Sequence, residues 1–557
     1  MAIATSPPDD RAARRATWAL VLAFLALGPA IGRDYGISWD EMVQCDYAAL
    51  TVDYYASFGR DRRFEHYRDL RYHGPLFEIL PELLFRLSGP WPRERRDDAS
   101  PGPKRPTPRA HGHGYPTYEI RHATIHLAAA LALVGVAACA RALGLAREAP
   151  YAVAALALMP RFMGEAFNNG KDIPFLCAWT WSVWAILRAT LSPHAGSRRA
   201  CALAGGLVGA ALAIRVAAVL LVALGAAALA AHAFSRRPLP RPLALAGRLA
   251  AFGGAAYLVM LAGWPWIQLD PLRHPVYAVL DVVHLQTRIP VRFDGADLWS
   301  DALPRHYPVT MLAIGTPLPV LALALAGLAS ALCALARAPA ERGPCALLVL
   351  WLALPLGLFA ILGNNVYDGV RHFLFVLPAV ALLASRGVGA LASAATRPRL
   401  VHAAAAASIA WGAVAIARLH PYPITYYNAL VGGTAGAVGR FETEYHAASY
   451  RAAAEWTNAR ARATPGRPLV VLLAANQYIE LCFAYYLDPT LPIRVRPLLE
   501  PSDAPLDADY YIALDRFGWA ALPTTSAAFA RTYGDFLPLA HIERDGARFV
   551  TIFRRVR

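Results

Sequence analysis

Two adjacent carboxylates, Asp40 and Glu41, close the run Asp34-Tyr35-Gly36-Ile37-Ser38-Trp39-Asp40-Glu41, which follows the first apolar stretch of the chain. Carboxylates are costly to leave beside a low-dielectric region, so such a pair is a functional-site candidate. Further groups able to do chemistry recur near the ends of later apolar stretches. They are His73-Gly74-Pro75-Leu76, Arg161, Asn168-Asn169-Gly170-Lys171-Asp172, Arg288 with Arg292, Tyr367-Asp368 and Arg371-His372. Carboxylates can take up a proton, and Arg and Lys hold phosphate through charge-assisted hydrogen bonds. Together they describe a site for an anionic, lipid-linked substrate. Singly, each has a plainer reading. Asp40-Glu41 could start a helix. Lys171-Asp172 could be an ion pair ahead of a helix whose Pro174 fits a first turn. Arg371-His372 could anchor an interface. His111-Gly112-His113 has no acidic partner at ligand spacing, so no metal is assigned there.

The elements that must position these groups are membrane helices. The chain has 557 residues, of which 57% are hydrophobic and 17% charged, against roughly 25% charged in a soluble domain. The net charge of +15 is almost all Arg, since Lys104 and Lys171 are the only lysines; no nucleic-acid partner is expected. Seven scattered Cys without a CxxC pair imply neither disulfides nor a zinc site. The apolar stretch near the N-terminus lacks a small-residue cleavage site and reads as a retained helix. Spans of roughly 20 apolar residues are expected at 16–32, 121–140, 149–166, 172–190, 200–214, 217–234, 246–264, 308–335, 343–363, 371–386 and 399–418. Arg215 divides 200–234 into two. With that division, and residues 1–15 in the cytoplasm, every inside loop is basic: Arg141 and Arg147, Arg198 and Arg199, Arg236, Arg237 and Arg241, Arg337 and Arg342, Arg386, Arg397 and Arg399.

The expected fold is therefore an α-helical polytopic membrane protein of about eleven transmembrane helices (16–418) with a small C-terminal α/β domain (419–557) outside. Outside loops fall at 33–120 and 265–307. In the first, Trp39, Val43, Tyr47, Leu50, Tyr54 and Phe58 recur at helical spacing over 39–58, which predicts a helix in the interface plane. A second amphipathic stretch covers 74–88, and a Pro/Arg-rich section covers 90–110. In the tail, a helix is expected over 447–462, strands at Leu469–Leu473 and Tyr510–Leu514, and a hairpin of Leu537–Ile542 with Phe549–Phe553 around Asp545-Gly546. All the candidate site residues then lie on the outside face.

The acidic run 34–41, His73-Gly74-Pro75-Leu76-Phe77-Glu78, Phe167-Asn168-Asn169-Gly170-Lys171-Asp172-Ile173-Pro174-Phe175, Val366-Tyr367-Asp368-Gly369-Val370-Arg371-His372 and His420-Pro421-Tyr422 with Tyr426-Tyr427-Asn428 together resemble the GT-C superfamily of membrane glycosyltransferases. The likeness is to its bacterial branch of protein O-mannosyltransferases and aminoarabinose transferases, over most of 30–460. The mannosyltransferases commonly carry His-Pro-Pro-Leu where this chain has His73-Gly74-Pro75-Leu76, and no inserted sugar-binding domain is found.

The resemblance implies a polyprenyl-phosphate sugar donor, a membrane location in the bacterial inner membrane and an acceptor that is a glycan, lipid or protein. It implies catalytic acids at Asp40 (or Glu41) and Asp172. Neighbours in a helix point about 100° apart, so one of the two faces a cavity; Asp40 is assigned as base, with Glu41 orienting the loop. Lys171, Arg288, Arg292, Arg371 and His372 are assigned to the leaving phosphate and His73, Tyr367, Asp368 and Arg161 to the substrate. Lys171 and Arg371 are expected near the interface and not in a core. Attack opposite the leaving group implies inversion. No cofactor is expected; a divalent metal would require Asp40, Asp172 and His73 to converge. A lipid-linked glycan flippase would place charges near the midplane of several helices, and a non-catalytic envelope scaffold leaves Asp40, Lys171 and Asp172 unexplained.

Overall fold

The computed structural model describes residues 8–68, 70–89, 116–191, 195–235, 241–283, 288–363, 365–476, 478–499 and 507–556. The 90–110 section and the His111-Gly112-His113 pair lie outside them. Helix α1 (Pro8–Ile31) leads into the acidic run, followed by α2 (Glu41–Ala56) and α3 (Leu76–Ser88). Next come α4 (Thr117–Ala142), α5 (Ala149–Ala157), α6 (Pro160–Asn168), α7 (Asp172–Leu191), α8 (Arg198–Leu212), α9 (Val219–Ser235) and α10 (Pro242–Gly263). After α11 (Pro265–Leu269), α12 (His274–Val283) and the hairpin β1 (Pro290–Phe293) and β2 (Ala296–Trp299), the chain re-enters the bundle. It does so as α13 (Tyr307–Gly315), α14 (Leu318–Arg337), α15 (Arg342–Leu362), α16 (Leu377–Ala394) and α17 (Pro398–Leu419).

Eight of the described helices are long and apolar enough to cross a membrane. The chain is an integral membrane protein. The other three expected spans are helical but outside that set: α7, α8 with 15 residues, and the α5–α6 pair. Two expected spans are broken. The 149–166 stretch stops at Leu158, Met159 is extended, and Pro160 starts a new helix. Likewise 308–335 breaks at Thr316 ahead of Pro317. The cause is the same in both: the ring of a proline drives the preceding residue out of the helical region. The breaks bring α6 and α13, each of nine residues, to the face where the site lies.

The helix over 39–58 is not interfacial. Its positions 41, 42, 44–48, 50–52 and 54 are buried on every side, because α3, α4 and the C-terminal domain enclose it. Helix α3, by contrast, has an exposed apolar face, where Leu80, Leu83, Leu84 and Leu87 are open.

The C-terminal domain follows from its pattern. After a five-residue turn α18 (Gly433–Ala437) comes α19 (Tyr450–Ala463), and then β3 (Leu469–Leu473), β4 (Ile493–Pro497), β5 (Tyr510–Leu514), β6 (Phe536–Arg544) and β7 (Ala547–Arg555) form one sheet. Its order is β4-β3-β5-β7-β6. β3 runs parallel to β4 and β5, and β7 antiparallel to β5 and β6. The central β5, Tyr-Tyr-Ile-Ala-Leu, is buried throughout, as a strand covered on both faces must be. Asp545 and Gly546 both have positive φ, the backbone a two-residue hairpin demands.

The β1–β2 hairpin packs against residues 439–440 ahead of the sheet domain, and alternation of the crossings puts the start of α10 and the α14–α15 turn on the opposite side. Reporter fusions at Asp297 and Arg440 should therefore read one side, and fusions at Arg241 and Pro339 the opposite side. Fusions at Arg60 and Arg241 should also read opposite sides; agreement between them would merge α8 and α9 into a single crossing and overturn this arrangement.

Candidate active site

The acidic run is fastened from two directions. Asn168 donates to the Gly36 carbonyl (3.0 Å), and the Ser38 hydroxyl donates to the Asn168 carbonyl (3.0 Å). From the C-terminal domain, Trp39 N–H reaches the His446 carbonyl (3.2 Å) and Ile37 N–H reaches the Tyr486 hydroxyl (3.0 Å). Gly36 lies so close to the Ala448 carbonyl that a Cβ there would collide with it. Glycine is thus required at the centre of the run.

Asp40 precedes α2 but makes no side-chain capping bond. Its carboxylate instead pairs with Nη2 of Arg371. Glu41 faces away. It accepts from Ser38 N–H (2.7 Å) and lies 3.0 Å from His122 and 3.7 Å from Arg121. Arg121 is itself paired to Glu78 of α3, so Glu41 belongs to the contacts that tie α2, α3 and α4 together.

Arg371 is the hub. Its Nε donates to Asp172 (2.9 Å), its Nη1 to Asp368 (3.0 Å) and its Nη2 to Asp40. The other Asp172 oxygen pairs with Arg215, and the other Asp368 oxygen accepts from Arg516 of the sheet domain (2.5 Å). Three carboxylates and three guanidiniums thus interlock. Asp368 sits at φ +60° ahead of Gly369 at +66°, a turn short enough to fold its carboxylate back onto Arg371. Behind the hub, Asn169 donates to both Glu165 (2.7 Å) and Asp172 (2.9 Å), and Glu165 also receives Tyr445 (2.5 Å) and contacts His446 (2.9 Å).

In front of the hub is a cavity of about 660 Å³. Its polar end holds Asp40, His73, Lys171, Arg215, Arg68, Tyr367 and His372. Its other walls are apolar: Val216, Val219 and Leu220 from the α9 start, Leu358, Phe359 and Leu362 from α15, and Phe373 and Phe375. Asn476 and Tyr478 of the sheet domain complete the rim. Among the described residues the Lys171 ammonium has no ion-pair partner, in contrast to Arg371, Arg215 and Arg516.

The pKa directions follow from this geometry. Burial by itself would raise the Asp40 carboxyl, but Arg371, Lys171 and His446 outweigh it and hold it well below the usual carboxylate range. Burial pushes the Lys171 ammonium down to about 8, with Asp40 opposing and Arg371 and Arg215 reinforcing the shift. Burial, with Lys171 and Arg215 beside it, keeps His73 neutral by lowering it well below its ordinary value.

The assigned residues therefore separate. Asp40, His73, Lys171, Tyr367 and His372 line the cavity. Glu41, Asp172, Asp368 and Arg371 stand behind its wall. Arg161 does not line the cavity: it is 1% exposed, donates to the Tyr426 carbonyl (3.1 Å) and lies over the Tyr427 ring (4.5 Å). Arg288 and Arg292 do not line the cavity, although Ile289 beside Arg288 does. Arg288 pairs with Asp301 (2.9 Å) beside Trp299 at the base of the exposed hairpin, and Arg292 pairs with Asp297 (2.6 Å) across it. Local pairing, cross-strand for Arg292, occupies their charge. Arg371 is likewise in a core and not at an open interface. Asp40, Asp172 and His73 do not assemble a metal cage, since Arg371 sits at the point where the carboxylates meet, and among the described residues no cluster of three metal-binding side chains occurs.

Arg215, Arg68, Glu165, His446 and Arg516 were not assigned from the sequence. Arg215 carried a signal, because a lone Arg between two apolar helices is a functional-site candidate by default. Gly74 positions it: a Cβ at 74 would strike the Ala213 carbonyl, and Leu76 N–H bonds that same carbonyl at 3.1 Å. The departure from His-Pro-Pro-Leu is thus a close backbone approach that seats the Arg215 turn.

Residues 119–261 match the family model described as dolichyl-phosphate-mannose-protein mannosyltransferase. The matched segment runs from α4 into α10 and contains Lys171, Asp172 and Arg215; Asp40 and Arg371 lie outside it. Among solved structures the chain is similar to ArnT from Cupriavidus metallidurans bound to undecaprenyl phosphate, at 15% identity over 96% of this chain and 97% of that one, with a TM-score of 0.48. It is also similar to the oligosaccharyltransferase AglB from Archaeoglobus fulgidus in complex with an inhibitory peptide and a dolichol-phosphate (13%, 85% and 65%, 0.43). A third is the arabinofuranosyltransferase AftD from Mycobacteria (14%, 81% and 36%, 0.35). None of these carries residue roles across. No curated protein matches the sequence.

Removing Arg371 leaves three buried or half-buried carboxylates facing one another. Arg371→Met should cost about 3–5 kcal/mol, as breaking a buried ion pair from one side does, and lower the melting temperature of the purified protein. Lys171→Ala, which breaks no ion pair, should melt close to wild type. Equal melting of Arg371→Met and wild type would show that the carboxylates do not depend on the guanidinium.

Proposed function

We propose that this protein is a glycosyltransferase that moves a sugar from a polyprenyl-phosphate donor to an acceptor hydroxyl at the outer face of the bacterial inner membrane. The observation that carries this reading is the two-ended cavity: a free ammonium and an ionised carboxylate at one end, and apolar walls at the other. A lipid phosphate has the same division. Its chain fits the walls from α9 and α15, and its phosphate fits Lys171, with Arg215 and the neutral His73 and His372 as further donors. The match to a family described by a lipid-phosphate sugar donor supports the same choice. The basic loops support a cytoplasmic N-terminus.

In the reaction the acceptor oxygen attacks the anomeric carbon as the bond to the phosphate oxygen breaks. Asp40 accepts the hydrogen bond of the attacking hydroxyl and takes its proton; Arg371 fixes the aim of that carboxylate. The charge that develops on the leaving phosphate is met by Lys171 and Arg215, already in place before reaction, which is where preorganised electrostatics acts most strongly. Arg371 is not a phosphate ligand in this reading, because its donors are committed to three carboxylates. Base and leaving group on opposite sides of the sugar give inversion. Arrangement of the charges at one face, and not along the midplane of several helices, favours an enzyme over a flippase.

Asp40→Asn retains shape and hydrogen bonding but loses charge and basicity. It should insert and bind donor as wild type does while turnover drops at least about 10²-fold. Glu41→Gln still offers an oxygen to Ser38 N–H and should lose less. Wild-type turnover in Asp40→Asn would remove Asp40 from the mechanism.

The Lys171 ammonium binds phosphate only while protonated. With its pKa at about 8, the charged form is complete below that pH and is lost above it. Donor kcat/KM, which reports the free enzyme, should fall by about tenfold per unit above pH 8. In Lys171→Arg the guanidinium stays charged, so the alkaline limb should vanish; a limb that stays at the same pH would assign it to another group.

A further inference from the structure

A second cavity, of about 240 Å³, lies between the β1–β2 hairpin, residues 439–444 and the loop 515–521 of the sheet domain. Its frame is tied down on both sides. Arg292 donates to the Gly439 carbonyl (3.2 Å), Arg440 pairs with Asp294 (2.6 Å), and Gly295 N–H reaches the Arg440 carbonyl (2.9 Å). Phe441 and Phe517 give it apolar faces.

Its charged groups are mostly spent. Arg292 is bound to Asp297, and Glu444 accepts from His446 N–H and from Ser449. Arg516 divides itself between Asp368 (2.5 Å) and Glu442 (3.2 Å). What is left over is carboxyl oxygen and one donor, the Arg516 Nε–H, which has no hydrogen-bond partner among the described residues. The Glu442 side chain is 3% exposed, and its Oε2 has no hydrogen-bond partner among the described residues. Asp515, on the rim, makes no ion pair among them. A buried polar atom without a partner is costly, so one facing a cavity is a place for a ligand to bond. Burial, opposed by Arg516 and reinforced by Asp368, pushes the Glu442 carboxyl up to about 8, so at neutral pH it can donate as well as accept.

This chemistry selects the ligand. An anion meets Glu444, Asp297 and Asp515 in the lining, and both guanidiniums there are already ion-paired. A cation meets Arg292 and Arg516 in the wall. Neutral hydroxyls bond carboxyl oxygens, and the C–H face of a sugar ring packs on a phenyl ring. The cavity also shares a wall with the site in front of Arg371. Arg516 lines it, holds Asp368 and lies 5.4 Å over the Trp39 ring, and Trp39 lines the main cavity beside Asp40. We propose that this second cavity binds one neutral sugar ring of a glycan acceptor, between Glu442, Asp515 and Phe517. Its assignment to the acceptor rests on the transferase reading, whereas sugar binding itself does not.

The test uses the full-length protein in lipid nanodiscs, free of sugar-based detergent. Saturation-transfer NMR and calorimetry are run with methyl α-D-mannopyranoside, methyl β-D-glucopyranoside and N-acetylglucosamine. At least one should bind wild type, and should bind about tenfold or more weakly to Asp515→Ala and to Ala520→Trp, which fills the rim. Asp515→Ala alters a rim residue and should melt as wild type. Asp40→Asn and Lys171→Ala should bind the same glycoside unchanged, because they alter only the main cavity. Absence of binding by all three glycosides, or equal binding to wild type and both rim variants, would overturn the proposal. If instead the transferase reading fails, the loss appears in Asp40→Asn turnover and glycoside binding stands.

Discussion

The guanidinium of Arg371 is where the molecule is held together functionally. Asp40 comes from the loop after the first helix, Asp172 from the start of α7, and Asp368 from the turn ahead of α16; they meet only because Arg371 stands between them. Bringing three carboxylates together without a cation would leave uncompensated charge in a poorly solvated place, which several kcal/mol per ion would oppose. With Arg215 and Arg516 on the outer oxygens, the pairing is one guanidinium per carboxylate. Lys171 is then the charge in excess. That surplus makes the cavity a place for an anion, and the low Lys171 pKa is the cost of keeping an ammonium in a crowded, positively charged pocket.

The same hub joins the membrane bundle to the sheet domain. Arg516 follows β5, reaches across to Asp368, and also donates to the Tyr445 carbonyl (2.8 Å). His446 and Ala448 fasten the acidic run from the same side. The sheet domain is therefore part of the wall of the site and not an appendage. Movement of that domain would reach Asp40 by two direct routes, through Asp368 and Arg371 and through the backbone bonds of Ile37 and Trp39.

Legibility followed the reach of each interaction. Membrane helices, the strands 469–473 and 510–514 and the Asp545-Gly546 hairpin could be read because periodicity and turn chemistry are local. Asp40, His73, Lys171, Tyr367 and His372 were placed on one face because charge next to an apolar run is a local anomaly. The fate of each charge was not readable. Arg288 and Arg292 look like any other outside cations, yet they are neutralised by Asp301 and Asp297 across a two-stranded turn. Arg371 looks like an interface cation, yet its partner Asp40 is 331 residues away. Helix α2 has the spacing of an interfacial helix because a helix buried all round also shows aromatics on the face that was counted.

Those misreadings share one physical cause, and it bears on how the site works. Residue type fixes the sign of a charge, but partner geometry fixes whether that charge is available. In this cavity the available cation is a lysine and the committed cations are arginines. Arginine offers five donors in a rigid fork and suits a permanent bridge among carboxylates; lysine offers a single compact ammonium whose pKa burial can shift. With 54 basic residues and only two lysines in the whole chain, a lysine at 171 is an exception to the composition of the protein. An ammonium that titrates near 8 can release its grip on a phosphate more readily than a bidentate guanidinium can, and a transferase must let its product leave as well as hold its donor.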